Sequence, residues 1–399
     1  MSTLGKPLTG HIRQRKNGLW EGQYVYKRER RSIYGKTQEE VSHQLNQIIA
    51  SIEKGEYIRP NQHTLISWLR EWLHTYAKPS LRPATFTNYE MNIERHFNNT
   101  ELGRVKLKNV STRMLQSFFN EKLVLGRADR KSGGLSPKTL KNIKYMLHVA
   151  LDQAYYEQLI SSNPVNGVRL PVPDSPEQRV LRPEEKERIC NYAADICTFA
   201  AQGIVLLLTC GLRRGELLGL QWRDVDLDNG IIKIRHTLSR LKKFDVNKTA
   251  YPYIQLDSYA PEANRTAIYL GPVKTQKAAR TIYLPVRTRE SLLVIRRIST
   301  ELADGKPDFN PYNLVFCTEE GHPLEAKVLE ETFQKILAAL HLKSVNLHAT
   351  RHTFATEALQ KTTDIITVSE ILGHTKPSTT LDMYGHTFDD RKRELMAQM

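Results

Sequence analysis

Apolar positions recur along this chain with two different periods. Near the N-terminus the runs are short and β-type: Gly10–Arg13, Leu19–Tyr26 and Arg31–Gly35, with basic side chains alternating with aromatic ones. Asn17-Gly18 between the first two is a hairpin-turn signal. From Thr37 the spacing becomes helical. Thr37 with Glu40 resembles a capping box, and Val41, Leu45, Ile48, Ile49 and Ile52 form one stripe. The pattern predicts a three-stranded sheet packed on one helix over residues 1–60.

A linker around Glu56–His63, with Pro60 in its middle, precedes a run of helical patterns. Leu65, Trp68, Leu69, Trp72, Leu73 and Tyr76 mark one helix. Pro83 opens a second, with Tyr89, Ile93 and Phe97 facing inward. Thr112, Leu115, Phe118 and Phe119 mark a third. Ser136-Pro137 opens a fourth, with Leu140, Ile143, Leu147, Ala150 and Ala154 on one side. A compact helical domain is expected over 64–165, followed by a proline-rich linker over 166–179. Residues 180–399 then predict a larger mixed α/β domain. It has a helix start at Leu181–Glu185, a buried helix through Ile204–Leu208, and strands at Ile231–Ile234, Thr266–Leu270 and Arg280–Leu284. Residues 236–265 have no clear period, and an extended hairpin and a disordered loop are both open readings. The expected fold class is multidomain, mainly α with small β-sheets.

Charge changes the picture. Lys and Arg number 58 against 43 Asp and Glu, a formal net charge of +15. A polyanionic partner explains that surplus, because each phosphate contact releases counterions. The first sixty residues alone carry eleven Lys/Arg against six Asp/Glu. A β-sheet can lie in a major groove and read bases, which nominates Arg13, Arg15, Lys16, Lys27 and Arg28. Arg82, Lys138, Lys141 and Lys144 add a basic face to the helical domain. The plain alternative for all of them is a solvated surface. The four cysteines, Cys190, Cys197, Cys210 and Cys317, lack paired metal-site spacing and fit a reducing cytoplasm. The N-terminus lacks an apolar signal region, and the longest apolar run is too short to span a bilayer.

The candidate chemistry is concentrated late in the chain. Thr209-Cys210-Gly211-Leu212-Arg213-Arg214-Gly215-Glu216 joins two helices. Arg213 can point into a cleft as a phosphate clamp, its rigid fork suited to that task, with Glu216 fixing it from behind. Lys274 falls between two strand-like runs, where a hairpin tip can present its ammonium to a leaving oxygen; Lys277 is the near competitor. His348 and His352 lie one turn apart, with Arg351 on roughly the same face. Two histidines at that spacing can chelate zinc, but the inner glutamate of the His-Glu-x-x-His pattern is absent, so neither metal nor cofactor is expected. Leu372-Gly373-His374 follows, then Tyr384. A tyrosine becomes a nucleophile when a base takes its proton and cations favour both phenolate and phosphorane.

In this order, Arg213, Lys274, His-x-x-Arg at His348 and Arg351, Leu-Gly-His at His374 and a late Tyr384 resemble the motif set of the tyrosine recombinases, or phage-type integrases. The family's Thr-Gly pair becomes Thr-Cys-Gly here. The resemblance covers about residues 180–399. The helical segment resembles the family's core-binding domain and the N-terminal segment an arm-binding domain, with integrases of Gram-positive conjugative transposons closest in appearance. It implies a C-shaped clamp on double-stranded DNA. Arg213, Arg351 and His374 would hold the scissile phosphate, His348 would assist proton removal from Tyr384, and Lys274 would protonate the departing 5′-hydroxyl. Four protomers would exchange strands through a Holliday junction, integrating and excising a mobile element, with an excisionase and a DNA-bending protein as further partners. Type IB topoisomerase shares the 3′-phosphotyrosyl chemistry but lacks a partner duplex. A non-catalytic DNA-binding regulator would lack the nucleophile or a clamp arginine.

Overall fold

The computed structural model describes residues 10–26, 29–54, 57, 62–127, 133–172, 179–256, 264–362, 364–384 and 396–397, the last three of 364–384 by backbone only. The chain forms two compact units, 1–81 with 85–174 and 82–84 with 175–399.

In the first unit, β1 (His11–Gln14), β2 (Trp20–Tyr26) and β3 (Glu29–Gly35) form an antiparallel sheet in chain order. Opposite faces of the strands diverge in character, as period-two alternation requires. Tyr24, Ile12 and Ile33 pack with Leu45 of α1 (Gln38–Glu53). On the other face Arg13 stands opposite Glu21, which stands opposite Tyr34. Thr37 caps α1 by accepting from the Glu40 N–H.

The helical part of this unit contains α2 (Leu65–Trp72), α3 (Pro83–His96, whose first residues group with the second unit), α4 (Glu101–Arg104), α5 (Thr112–Leu125) and α6 (Pro137–Tyr156). The stripes read from sequence meet in one core: Trp68, Leu69, Ile93, Phe97, Leu115, Phe119, Leu140, Ile143 and Leu147 are buried together. The buried Trp68 indole satisfies its N–H on the Ala150 carbonyl at 2.8 Å.

The second unit is built around α8 (Phe199–Cys210), which is apolar on all sides and buried almost throughout. Such a helix needs neighbours all round. They are α7 (Pro183–Ile196), α10 (Val286–Ala303), α11 (Ala326–Ala339) and α12 (Ala349–Lys361). After α8 come the short α9 (Arg214–Leu218) and two antiparallel sheets. One joins β4 (Val225–Asp226), β5 (Ile231–Ile234) and β9 (Arg280–Tyr283). The other joins β6 (His236–Lys242), β8 (Thr266–Pro272) and β7 (Ile254–Gln255), with β8 central. Beyond α12 come α13 (Ile365–Leu372) and α14 (Pro377–Tyr384).

Two expectations are corrected here. Thr266–Leu270 and Arg280–Leu284 are not hairpin partners. Both edges of β8 are taken by β6 and β7, whereas β9 pairs with β5, so Lys274 lies on a connection between sheets. The stretch 236–265 is neither a separate hairpin nor structureless: its first seven residues pair with β8 along their length. Residues 257–263 lie outside the described set.

Candidate active site

The site assembles on three helix ends in the second unit. Helix α8 stops at Gly211, whose φ of +63° is left-handed. A side chain there would be strained and would meet the Phe354 ring, with an added Cβ 2.3 Å from its Cδ1. The turn lets Leu212 go inward and leaves Arg213 extended at the N-cap of α9. Glu216, one turn on, accepts from the Arg213 backbone N–H at 3.0 Å and from Arg213 Nη1 at 2.7 Å.

The second end belongs to α13. The last carbonyls of a helix have no intrahelical donor and carry its negative dipole end, so cations are favoured there. Three successive carbonyls each receive a different arginine. Ile371 accepts from Arg280 Nε at 2.5 Å, Leu372 from Arg351 Nη2 at 2.7 Å, and Gly373 from Arg213 Nη2 at 3.1 Å. Gly373, with φ +65°, then turns the chain into His374. The His374 Nδ1 lies 2.8 Å from the hydroxyl of buried Thr380 on α14. With that hydroxyl donating, the imidazole proton sits on Nε2.

The third end is the start of α12. His348 is its N-cap and Arg351 lies within its first turn. Arg351 is almost fully buried, and its Nη1 donates to the Gly211 carbonyl at 2.7 Å. The same guanidinium therefore ties the end of α8 to the end of α13. His348 is open to solvent on one side, and its ring meets the buried His352 edge to face at 4.8 Å.

Electrostatics follow from this crowding of cations. Desolvation, then Arg351, Arg213 and Arg214, hold His348 below the usual histidine value. His374 is pushed down to about 4 by burial, then by Arg351, Arg213 and Arg280. His352 reaches about 4 by burial, then through His348 and Arg351. All three imidazoles are neutral near pH 7. Neutral His348 can accept a proton, and neutral His374 can donate a hydrogen bond without adding charge. For Glu216, burial opposes ionisation, but Arg280 and Arg213 outweigh it and keep the carboxyl below its ordinary range.

Arg213, Arg351, His374 and Glu216 are thus joined through one hydrogen-bonded network. Lys274 and Lys277 are solvent-exposed on the connection between sheets. Tyr384 closes α14, and its side chain lies outside the described atoms. Arg280 and Thr380 were missed in these roles by sequence reading. Arg280 looked like part of a strand, and no local pattern marks an arginine aimed inward. Thr380 carried a faint signal, sitting six residues after His374.

The nominated DNA-contact residues divide by environment. Arg13 and Arg15 are half-exposed, and both pair with Glu21, at 2.8 and 2.9 Å. Glu21 itself is 1% exposed and also accepts from Gln23 and Tyr34. Lys16, Lys138 and Lys141 are exposed. Lys144 spends its ammonium on the Val168 carbonyl at 2.6 Å. Arg82 groups with the second unit, where it donates to the carbonyls of Pro272, Val273 and Lys274. Lys27 and Arg28 lie outside the described residues.

The chain resembles known proteins in sequence and fold. The sequence profile of the phage integrase family matches residues 179–391, and that of the phage integrase N-terminal SAM-like domain matches 64–123. A XerC-like tyrosine recombinase of Caldanaerobacter subterraneus subsp. tengcongensis is 26% identical over 377 residues, covering 91% of this chain and 89% of its own. Among solved structures, the Tn1549 transposon integrase in complex with a circular intermediate DNA aligns with a TM-score of 0.63 at 21% identity, covering 85% of this chain and 100% of that one. A lambda integrase tetramer bound to a Holliday junction aligns at 0.53 and 18% identity, covering 94% and 95%.

Proposed function

Because the chain belongs to the phage integrase family, whose profile spans more than half of it, we propose that it is a site-specific DNA recombinase acting through Tyr384. The observation that carries this reading is the convergence of Arg213, Arg351 and His374 on the single turn 371–374.

The reaction balances on residues of this chain. The Tyr384 hydroxyl attacks the scissile phosphorus while neutral His348 takes the phenolic proton. A bond forms between the tyrosine oxygen and phosphorus, and the bond from phosphorus to the 5′-oxygen breaks. Lys274 returns a proton to that leaving oxygen. Arg213 and Arg351 supply positive charge to the non-bridging oxygens as the phosphorane gains negative charge. A guanidinium has five N–H groups, so the two Nη contacts that anchor Arg213 leave donors for phosphate. His374 adds a hydrogen bond from Nε2. The phosphodiester energy stays in the 3′-phosphotyrosyl link, so a 5′-hydroxyl from another duplex reverses the step without nucleotide hydrolysis.

The wider assignment is integration and excision of a mobile element by four protomers exchanging strands through a Holliday junction. The transposon integrase on circular-intermediate DNA and the lambda tetramer support it. The N-terminal sheet would read separate arm sites, and an excisionase and a DNA-bending protein would act with the tetramer in the cytoplasm. No helix among the described residues is long and apolar enough to cross a membrane.

The test is a suicide duplex nicked near the cleavage site, which traps the covalent adduct on a denaturing gel. Wild type should form an adduct that maps to Tyr384, whereas Tyr384→Phe should bind DNA and form none. An adduct on another tyrosine refutes the assignment. Joining of heterologous duplexes identifies recombination, and relaxation of supercoils without joining identifies a topoisomerase.

A further inference from the structure

Arg280 opens β9 with a side chain only 7% exposed. One fork reaches three places. Nη2 donates to Glu216 Oε2 at 2.9 Å, Nε to the Ile371 carbonyl at 2.5 Å, and Nη1 to the Ala278 carbonyl at 2.9 Å. Ala278 belongs to the 3₁₀ turn, Gln276–Ala278, that follows Lys274. A buried ion pair is often replaceable by apolar packing with no loss of stability, so stability alone is a weak reason for a guanidinium here. Its contacts give a stronger one.

Glu216 is a single carboxylate shared by two arginines. Paired with Arg213 alone, it would neutralise the cation that must face a phosphate. Arg280, the more buried of the two, takes part of that negative charge and leaves Arg213, with a side chain 39% exposed, as the outward-facing cation.

We propose that Arg280 is a positioning residue for the strand-transfer reaction: through Glu216 and the Ile371 carbonyl it keeps the charge of Arg213 available to the scissile phosphate and fixes the turn bearing His374. The inference rests on the recombinase reading above.

The experiment compares two substrates in single turnover with the full-length protein. One is an ordinary suicide duplex. The other carries a methylphosphonate at the scissile position, which removes the negative non-bridging oxygen and with it the need for an added cation. Arg280→Met should slow phosphodiester cleavage about 100-fold, the scale of losing one transition-state donor, and keep methylphosphonate cleavage and DNA affinity within about threefold of wild type. Arg280→Lys retains charge without the fork and should recover part of the phosphodiester rate. Equal slowing on both substrates, the mark of general damage to the fold, overturns the proposal, as does an unchanged phosphodiester rate. Should Arg280→Met fail to give a cooperative thermal melt, the rate ratio between substrates in Arg280→Lys decides by the same criterion. A wild-type protein that forms no Tyr384 adduct defeats the recombinase reading instead, so the two failures are distinct.

Discussion

Replacing Glu216 with glutamine preserves shape and removes one charge from the centre of the network. The carboxylate is 3% exposed and accepts three hydrogen bonds, two from Arg213 and one from Arg280. In Glu216→Gln one acceptor oxygen becomes an amide NH₂ facing a guanidinium, and two cations lose their shared anion. Breaking a buried pair from one side costs roughly 3–5 kcal/mol. One oxygen can still accept, so the low end, about 3 kcal/mol, is expected. For a unit of this size that lowers the melting temperature by roughly 6–12 °C near neutral pH. The sign of the pH dependence follows from the depressed carboxyl. Its folded value lies below the ordinary 4.5. The stabilisation is therefore complete above the unfolded value and is lost as pH falls through the lower, folded one. Melting curves of wild type and variant, followed by dye fluorescence, should stay separated down to about pH 5 and converge in stronger acid. Single-turnover cleavage at neutral pH should fall at least about tenfold, because Arg213 loses its fixed orientation. A variant melting within about 1 °C of wild type at neutral pH, or a gap that widens on acidification, refutes the reasoning.

Other outcomes follow from separate parts of the molecule. Lys274→Ala should cleave ordinary DNA poorly and be rescued by a 5′-bridging phosphorothiolate, whose leaving group needs no proton; rescue confined to Lys277→Ala would transfer the role to that lysine. Glu21→Gln frees Arg13 and Arg15 from their shared carboxylate. It should tighten non-specific duplex binding and steepen the salt dependence by roughly one counterion, with reduced discrimination among arm sequences. An unchanged salt slope in filter binding would count against a DNA-facing role for this sheet. His352, pushed down to about 4 by burial and then by His348 and Arg351, is protonated first in the unfolded chain. Wild-type stability should therefore decline as pH drops from about 6.5 towards about 4, and His352→Asn should flatten part of that decline. Melting curves with equal acid sensitivity would assign the effect to other groups.

What was legible in the sequence was whatever periodicity or turn chemistry encodes locally. The Asn17-Gly18 turn, the stripe from Leu65 to Leu73 and the all-apolar α8 each state their own burial, and each packs as its pattern requires. Pairing between distant segments was less legible. Lys274 was placed on a hairpin because two strand-like runs flank it, but the partner of β8 is β6, which lay in a stretch with no obvious period. Half-exposed strands with long polar side chains blur the alternation on which such reading depends. The residue types of the site, Arg213, Glu216, His348, Arg351 and His374, were readable as a set. Their mutual attachment was not, since it runs largely through backbone carbonyls at 211, 371, 372 and 373. No residue letter records where a carbonyl points.

That mode of attachment separates what can drift over generations from what cannot. Every amino acid supplies a carbonyl, so the grip of the three guanidiniums places no demand on the side chain at 371, and at 372 packing alone restricts the choice. Spacing is the heritable quantity. One residue inserted or deleted within Ile365–Leu372 would turn the terminal carbonyls by roughly 100° about the helix axis and carry all three away from their arginines together. Substitution on the outer surface of this helix leaves those carbonyls in place, whereas a change of a single codon in length would dismantle the network they hold together.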